Sequence, residues 1–271
     1  MKEKKNITRH QVQHIIKKYK IQITGTFEVR GSGLVDVKGS VKLTGNKIFK
    51  LPLKFGNVTG NFYCKENGLK TLKGSPKFVG GSFNCSDNEL TTLVDGPRYV
   101  GGSYFCNENN LISLKGCPAE IVGEFNCAVN SLESLKYGPK RVGENFYAHH
   151  NMLKTLIGSP AFVAGSFHVA ANLLSNLEDC PDIIGLDFHF DCWIPSLYMA
   201  SKNCHVGGVK IESLGRMDNS SSILPDLILS NQKSLPIQFK YAKYLEIWDI
   251  SGFLNFENLN DILIDIDHGL V

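Results

Sequence analysis

"NCSDNELTTLVDGPRYVGGSYFCNENNLISLKGCPAEIVGEFNC", residues 84–127, contains one pattern twice. Cys85 and Cys106, Asn88 and Asn109, Leu90 and Leu111, Leu93 and Leu114, and Pro97 and Pro118 all stand 21 residues apart. Outward from this stretch the step holds. Prolines recur at Pro76, Pro97, Pro118, Pro139, Pro160 and Pro181, and asparagines at Asn46, Asn67, Asn88, Asn109, Asn130, Asn151 and Asn172. Three apolar rows keep the same phase, from Ile48 to Leu174, from Leu51 to Leu177 and from Val37 to Ile184. A fixed period in this range marks stacked repeats, each too short to bury its own apolar edge alone.

An aromatic residue followed two places on by a second apolar one marks the strand, because alternate residues of a strand share a face. The pairs are Phe62 with Cys64, Phe83 with Cys85, Tyr104 with Cys106, Phe125 with Cys127, Phe146 with Ala148, Phe167 with Val169 and Phe188 with Phe190. Extrapolation by one period lands on Val41 with Leu43 and on Val209 with Ile211. Cys64, Cys85, Cys106 and Cys127 therefore read as reduced core thiols, since later repeats put Ala148 and Val169 in their place and no Cys-x-x-Cys pair occurs. The Asn row is expected to turn inward and bond backbone groups at the bend that ends each strand. Gly and Pro in "KGSPKFVGG" are expected to shape a return segment too short for an α-helix.

The wording strand-x-x-Asn-x-Leu-x-x-Leu resembles the leucine-rich repeat in its short bacterial type. Stretches such as "LKGSPKFVGGSFNCSDNELTTL", with "IIKKYKI" and "LPLKFGNVTGNFYC", resemble repeat proteins of tailed bacteriophages. The resemblance implies an α/β repeat solenoid: a leucine-rich-repeat horseshoe with a concave parallel β-sheet, an N-terminal helical cap and a mostly irregular or 3-10 convex side. It also implies a binding protein that grips a host protein or protein complex, a defence protein among the candidates, and modulates or inhibits it.

The expected organisation is a cap over residues 1–24, repeats over 25–212 and irregular C-terminal repeats with a cap over 213–271. Residues 6–19 suit an amphipathic helix with Val12, Ile15, Ile16 and Tyr19 on one face and a capping box of Thr8 and Gln11. Phe27 with Val29 suits a first strand. Beyond residue 200, Leu227 with Leu229, Leu245 with Ile247 and the apolar run at 262–266 read as further strands, with a separate small domain as the alternative.

Charge is uneven. Residues 1–54 hold 13 basic and three acidic side chains, net +10, and the remainder 16 basic and 23 acidic, net −7. Lys2, Lys4, Lys5, Arg9, Lys17, Lys18 and Lys20 make nucleic acid a second candidate partner. No apolar run approaches the roughly 18 residues of a membrane span, and no signal-peptide core is present, so a cytoplasmic protein without a membrane role is expected. Edge contacts between solenoids leave a homodimer open.

No nucleotide loop or nucleophile elbow occurs, so no enzyme activity, catalytic residue or cofactor is expected. Cys192 in "HFDCWIP" reads as a repeat residue rather than a nucleophile. Partner recognition is expected from residues flanking the inward strand positions: Tyr63, Phe105, Glu124, Tyr147, His149, His150, His168, Asp187, His189 and Asp191. The histidines of repeats five to seven converge on this face, so a metal-dependent hydrolase is a third reading, although no metal ligand is assigned.

Overall fold

The computed structural model describes residues 7–199, 202–212 and 224–270, and within them the chain is a parallel-strand β-solenoid with few helices. Two compact units share it: Met1–Asn130 with Tyr137–Pro139, and Ser131–Lys136 with Lys140–Val271.

The first unit opens with α1, Arg9–Lys18. Its capping box is in place: Gln11 N–H donates to Thr8 Oγ1 at 3.3 Å and Thr8 N–H to Gln11 Oε1 at 2.8 Å. Val12 is fully buried, and Ile15, Ile16 and Tyr19 are half-buried. Thr26–Val29 then forms an antiparallel hairpin with Val35–Lys38. From there each coil advances in parallel. Val41–Lys42, Phe62–Tyr63, Phe83–Asn84, Tyr104–Phe105 and Phe125–Asn126 pair in a register of one period per strand, as in Phe83 with Tyr104 and Asn84 with Phe105.

The return segment differs from the expected irregular or 3-10 side. Val35–Lys38, Phe55–Val58, Phe78–Val79 and Tyr99–Val100 form a second parallel ladder, so each coil carries two strands. Val58, Val79 and Val100 point inward with at most 1% exposure, while Phe78 and Tyr99 stack outside at 5.0 Å. Two residues per coil are too few for an alternation test along the chain, yet they suffice for a ladder when the same two recur in every coil.

Both strand rows face a core in which Phe62, Phe83, Tyr104 and Phe125 are fully buried and successive ring centroids lie 5.0–5.8 Å apart. Cys64, Cys85, Cys106 and Cys127 line the same core with no exposure, and burial pushes all four thiols far up, away from nucleophilic thiolate. Tyr104 takes a position that every other coil from Phe62 to Phe188 gives to Phe, and its buried hydroxyl has no hydrogen-bond partner. Tyr104→Phe is therefore expected to stabilise the protein by about 1 kcal/mol, the desolvation cost of the orphan hydroxyl. A lower midpoint in thermal or denaturant unfolding would contradict this.

In the second unit, Phe146–Tyr147 pairs with Phe167–His168, and Arg141–Val142 with Phe162–Val163, both in parallel at one period per strand. Both rows meet on one nine-residue strand, Ile183–Asp191, which fuses the two strands of its coil. His205–Glu212 pairs with it in parallel, placing Val209 beside Phe188 and Ile211 beside Phe190 as extrapolation expects.

The strands expected after that are helices instead: α2 Asp226–Ser230, α3 Leu235–Leu245 and α4 Phe256–Asp267. Leu227 and Leu229 lie in α2, Leu245 ends α3, and 262–266 lies inside α4. The spacing of buried residues is helical: Leu235, Gln238 and Phe239 in α3, and Leu259 and Ile262 in α4, which Asn255 N-caps by accepting from Asn258 N–H at 3.1 Å. Phe239 meets Phe188 and Phe190 with centroids 6.2 and 6.3 Å away, so α3 packs on the last aromatic pair of the coils. These helices fall in the same compact unit as the last coils. No helix among the described residues is long and apolar enough to cross a membrane.

Candidate functional site

Three side-chain rows flank the inward positions of the first ladder, and the structure gives them different tasks. The middle row faces outward, half-buried: Tyr63, Asn84, Phe105 and Asn126 in the first unit, Tyr147, His168 and His189 in the second. Neighbours pair directly, Tyr63 with Asn84, Phe105 with Asn126, Tyr147 with His168 and His168 with His189.

The row before it is a lateral ladder. Asn61 Oδ1 accepts from Ser82 N–H at 2.8 Å, Ser82 Oγ from Ser103 N–H at 3.1 Å and Ser103 Oγ from Glu124 N–H at 3.1 Å. In the second unit Asn145 Oδ1 accepts from Ser166 N–H at 2.9 Å and Ser166 Oγ from Asp187 N–H at 3.3 Å. Glu124 and Asp187, expected as recognition residues, thus stand in a row whose short side chains tie coil to coil. Gly81 makes room for this: a Cβ there would lie 2.1 Å from Asn61 Oδ1.

The row after the middle one is mixed. Ser86, Ala128 and Ala170 are buried, and Asp191, another expected recognition residue, is only 7% exposed. Its carboxylate accepts from Ala171 N–H at 2.9 Å and Asn172 N–H at 3.3 Å, which explains its burial as a structural one. His149 remains half-buried on this row, and His150 lies exposed at a left-handed turn, φ 53°.

The face therefore narrows to a cluster in the second unit. His149 and His168 ring centroids are 4.5 Å apart, His168 and His189 4.7 Å, and Tyr147 lies edge-on to His149 and His168 at 5.9 and 6.1 Å. Glu212 closes the cluster. Its Oε1 is 2.7 Å from His189 Nδ1, a hydrogen bond, and 3.1 Å from His168 Nε2, without one. His168 Nε2 and His149 Nδ1 are buried polar atoms without a hydrogen-bond partner. Glu212 was not among the expected site residues, although one period beyond Asp191 lands on it.

Burial pushes the His149 imidazole down to about 4 from its ordinary 6.5, with the charges of His168 and His150 adding to the effect. Burial also lowers His168, against the pull of Glu212. At Glu212 burial alone would raise the carboxyl, but the hydrogen bond with His189 and the charge of His168 together outweigh it and hold the group below its ordinary range. Asp191 is raised by burial, with the two backbone N–H bonds opposing.

The unfolded chain takes up a proton on His149 before the folded one does. Stability is therefore lost as pH falls through about 6.5 toward about 4, and the Glu212 contribution is lost at still lower pH. In chelator-containing buffer the unfolding temperature should fall from pH 7 to pH 5, and His149→Gln should flatten that fall. A profile unchanged by the substitution would show that His149 is not the titrating group.

The basic amino-terminal side chains are placed only in part. Lys2, Lys4 and Lys5 lie outside the described residues. Arg9 is already engaged, its Nη1 donating to Phe27 O at 2.9 Å and its guanidinium 4.6 Å from the Phe27 ring. Lys17, Lys18 and Lys20 are exposed at the end of α1. No family model matches the sequence, and no curated protein and no solved structure matches it either.

Proposed function

We propose that the chain is a non-enzymatic protein-binding solenoid whose outward middle row holds a partner protein. The observation that supports this reading is the row itself. Tyr63, Phe105, Tyr147, His168 and His189 are half-buried aromatic and imidazole groups on strands tied to their neighbours by backbone pairing and by side-chain ladders. Rigid rings of this kind lose little conformational entropy on docking and are common binding hot spots. The resemblance to leucine-rich repeats of tailed bacteriophages makes a host protein the partner in this reading, with modulation or inhibition as the outcome.

The test is capture of partners from bacterial lysate, followed by affinity measurement with the purified partner. Tyr147→Ala with His168→Ala and His189→Ala should weaken binding at least about tenfold, as removal of hot-spot residues does. Phe78→Ala with Tyr99→Ala, on the second ladder, should leave it unchanged. The opposite pattern, in folded variants, moves recognition to the second ladder. Binding that falls steeply with salt and is lost on charge reversal of Lys17, Lys18 and Lys20 returns nucleic acid as the partner.

A further inference from the structure

We propose that His168, His189 and Glu212 form a site for one divalent transition-metal ion of the zinc class; it shares His168 and His189 with the protein-binding row above but does not rest on that reading. His168 Nε2, His189 Nδ1 and Glu212 Oε1 all lie within 4.8 Å of one another. Three consecutive strands supply them. His168 and His189 are paired neighbours, and Glu212 lies two residues beyond Lys210, the partner of His189. The ligand atoms are thus fixed by the same ladder that fixes the core.

Size fits. With metal–ligand bonds of about 2.0–2.1 Å, tetrahedral ligand atoms stand about 3.3 Å apart. The carboxylate oxygen is already 3.1 Å from His168 Nε2 and needs to part by about 0.6 Å from its 2.7 Å contact with His189 Nδ1. The donor set fits as well. Two imidazoles and one carboxylate suit zinc, cobalt or nickel, whereas magnesium and calcium require oxygen ligands.

The hydrogen bonding gives an independent reason. One carboxylate oxygen faces two ring nitrogens but hydrogen-bonds only one, and His168 Nε2 is left buried 3.1 Å from it without a hydrogen bond. His149 Nδ1, on the ring 4.5 Å away, is in the same condition. Buried polar atoms are normally satisfied, so unpartnered ring nitrogens beside a carboxylate mark a place for a cation. Three protein ligands leave a fourth position for water or an outside donor, the arrangement of exchangeable rather than closed zinc sites.

The experiment uses the full chain without a histidine tag, stripped with chelator and titrated with zinc chloride by calorimetry, with cobalt absorption as a second readout of coordination. One equivalent should bind, with a tetrahedral-type cobalt spectrum and a raised unfolding temperature. His189→Ala and Glu212→Gln should each weaken binding at least about tenfold, and His10→Ala with His14→Ala should leave it unchanged. Circular dichroism establishes that each variant is folded, and Glu212→Gln keeps the side-chain shape should His189→Ala unfold the coil. Absence of saturable binding, or an affinity unchanged in folded His189→Ala and Glu212→Gln, overturns the proposal. So does a loss confined to the His10 and His14 double variant, which would assign the ion to α1.

Discussion

Asn109→Ala should destabilise the protein by about 4 kcal/mol, from one orphaned buried N–H and several lost hydrogen bonds. Asn109 is 9% exposed and makes four bonds. Its Oδ1 accepts from Leu90 N–H of the preceding coil at 3.0 Å, and its Nδ2 donates to Cys85 O at 3.1 Å and to Cys106 O and Asn107 O at 3.2 Å. The carbonyls have other lone pairs to use. Leu90 N–H has nowhere else to turn, and water reaches it only if the coil opens. At about 2–4 °C per kcal/mol for a chain of this size, the unfolding temperature should fall by about 10 °C. Asn109→Asp should be as harmful, because it keeps the acceptor but aims a carboxylate at three carbonyl oxygens. Asn110→Ala, one residue on and exposed, should stay within about 0.5 kcal/mol. A cost below about 1 kcal/mol for Asn109→Ala would mean that strand pairing alone holds the coils together.

That Asn row was legible in the sequence because its chemistry leaves little choice. A polar side chain recurring beside two buried Leu rows must be satisfied inside, and the same four-bond pattern appears at Asn88 and Asn130. The inward row from Phe62 to Phe188 was equally clear, since burial demands apolar residues at every step. Side chains whose role depends on the neighbouring coil were harder to read. Ser82 and Ser103 look like surface serines, and only the next coil's N–H shows them to be rungs. Asp191 reads as an exposed acid for the same reason, and its two backbone partners lie 20 and 19 residues away.

Glu212 was reachable by the period but stood beyond the visible motif, where the Asn and Pro rows have stopped. The C-terminal helices were misread because Leu227 with Leu229 and Leu245 with Ile247 follow Val209 with Ile211 at 18-residue steps, a spacing that imitates a shortened repeat. Asn255 and the i, i+3 pair Leu259 with Ile262 held the better signal. The histidine cluster was foreseen by stacking arithmetic, whereas its buried unpartnered nitrogens follow from rotamers that no spacing rule contains.

Gly158→Ala should cost about 3 kcal/mol, from strain and crowding together, and the reason lies in a second row with the same period. Gly74, Asp95, Gly116, Tyr137, Gly158 and Asp179 all take positive φ, from 62° to 103°. A left-handed conformation costs an ordinary residue about 1–2 kcal/mol, so a glycine there always gives some relief. Strain alone does not separate Gly158 from Tyr137, which tolerates φ 66° with 65% of its surface exposed. Space does. A Cβ on Gly158 would lie 2.5 Å from Leu135 C and O and from Lys136 N, backbone atoms of the preceding coil that cannot turn aside as a side chain would. Coils spaced at about 4.8 Å leave no slack for an added methyl group, so the substituted alanine has to push two coils apart as well as bear its own strain. Tyr137→Gly should do the reverse and stabilise by up to about 1 kcal/mol, because it relieves the strain of an exposed side chain. Backbone strain alone already gives the two variants opposite signs, so denaturant unfolding decides by magnitude: a Gly158→Ala cost well above the Tyr137→Gly gain means that coil-to-coil contact decides the glycines. Equal and small effects would mean that backbone conformation alone does.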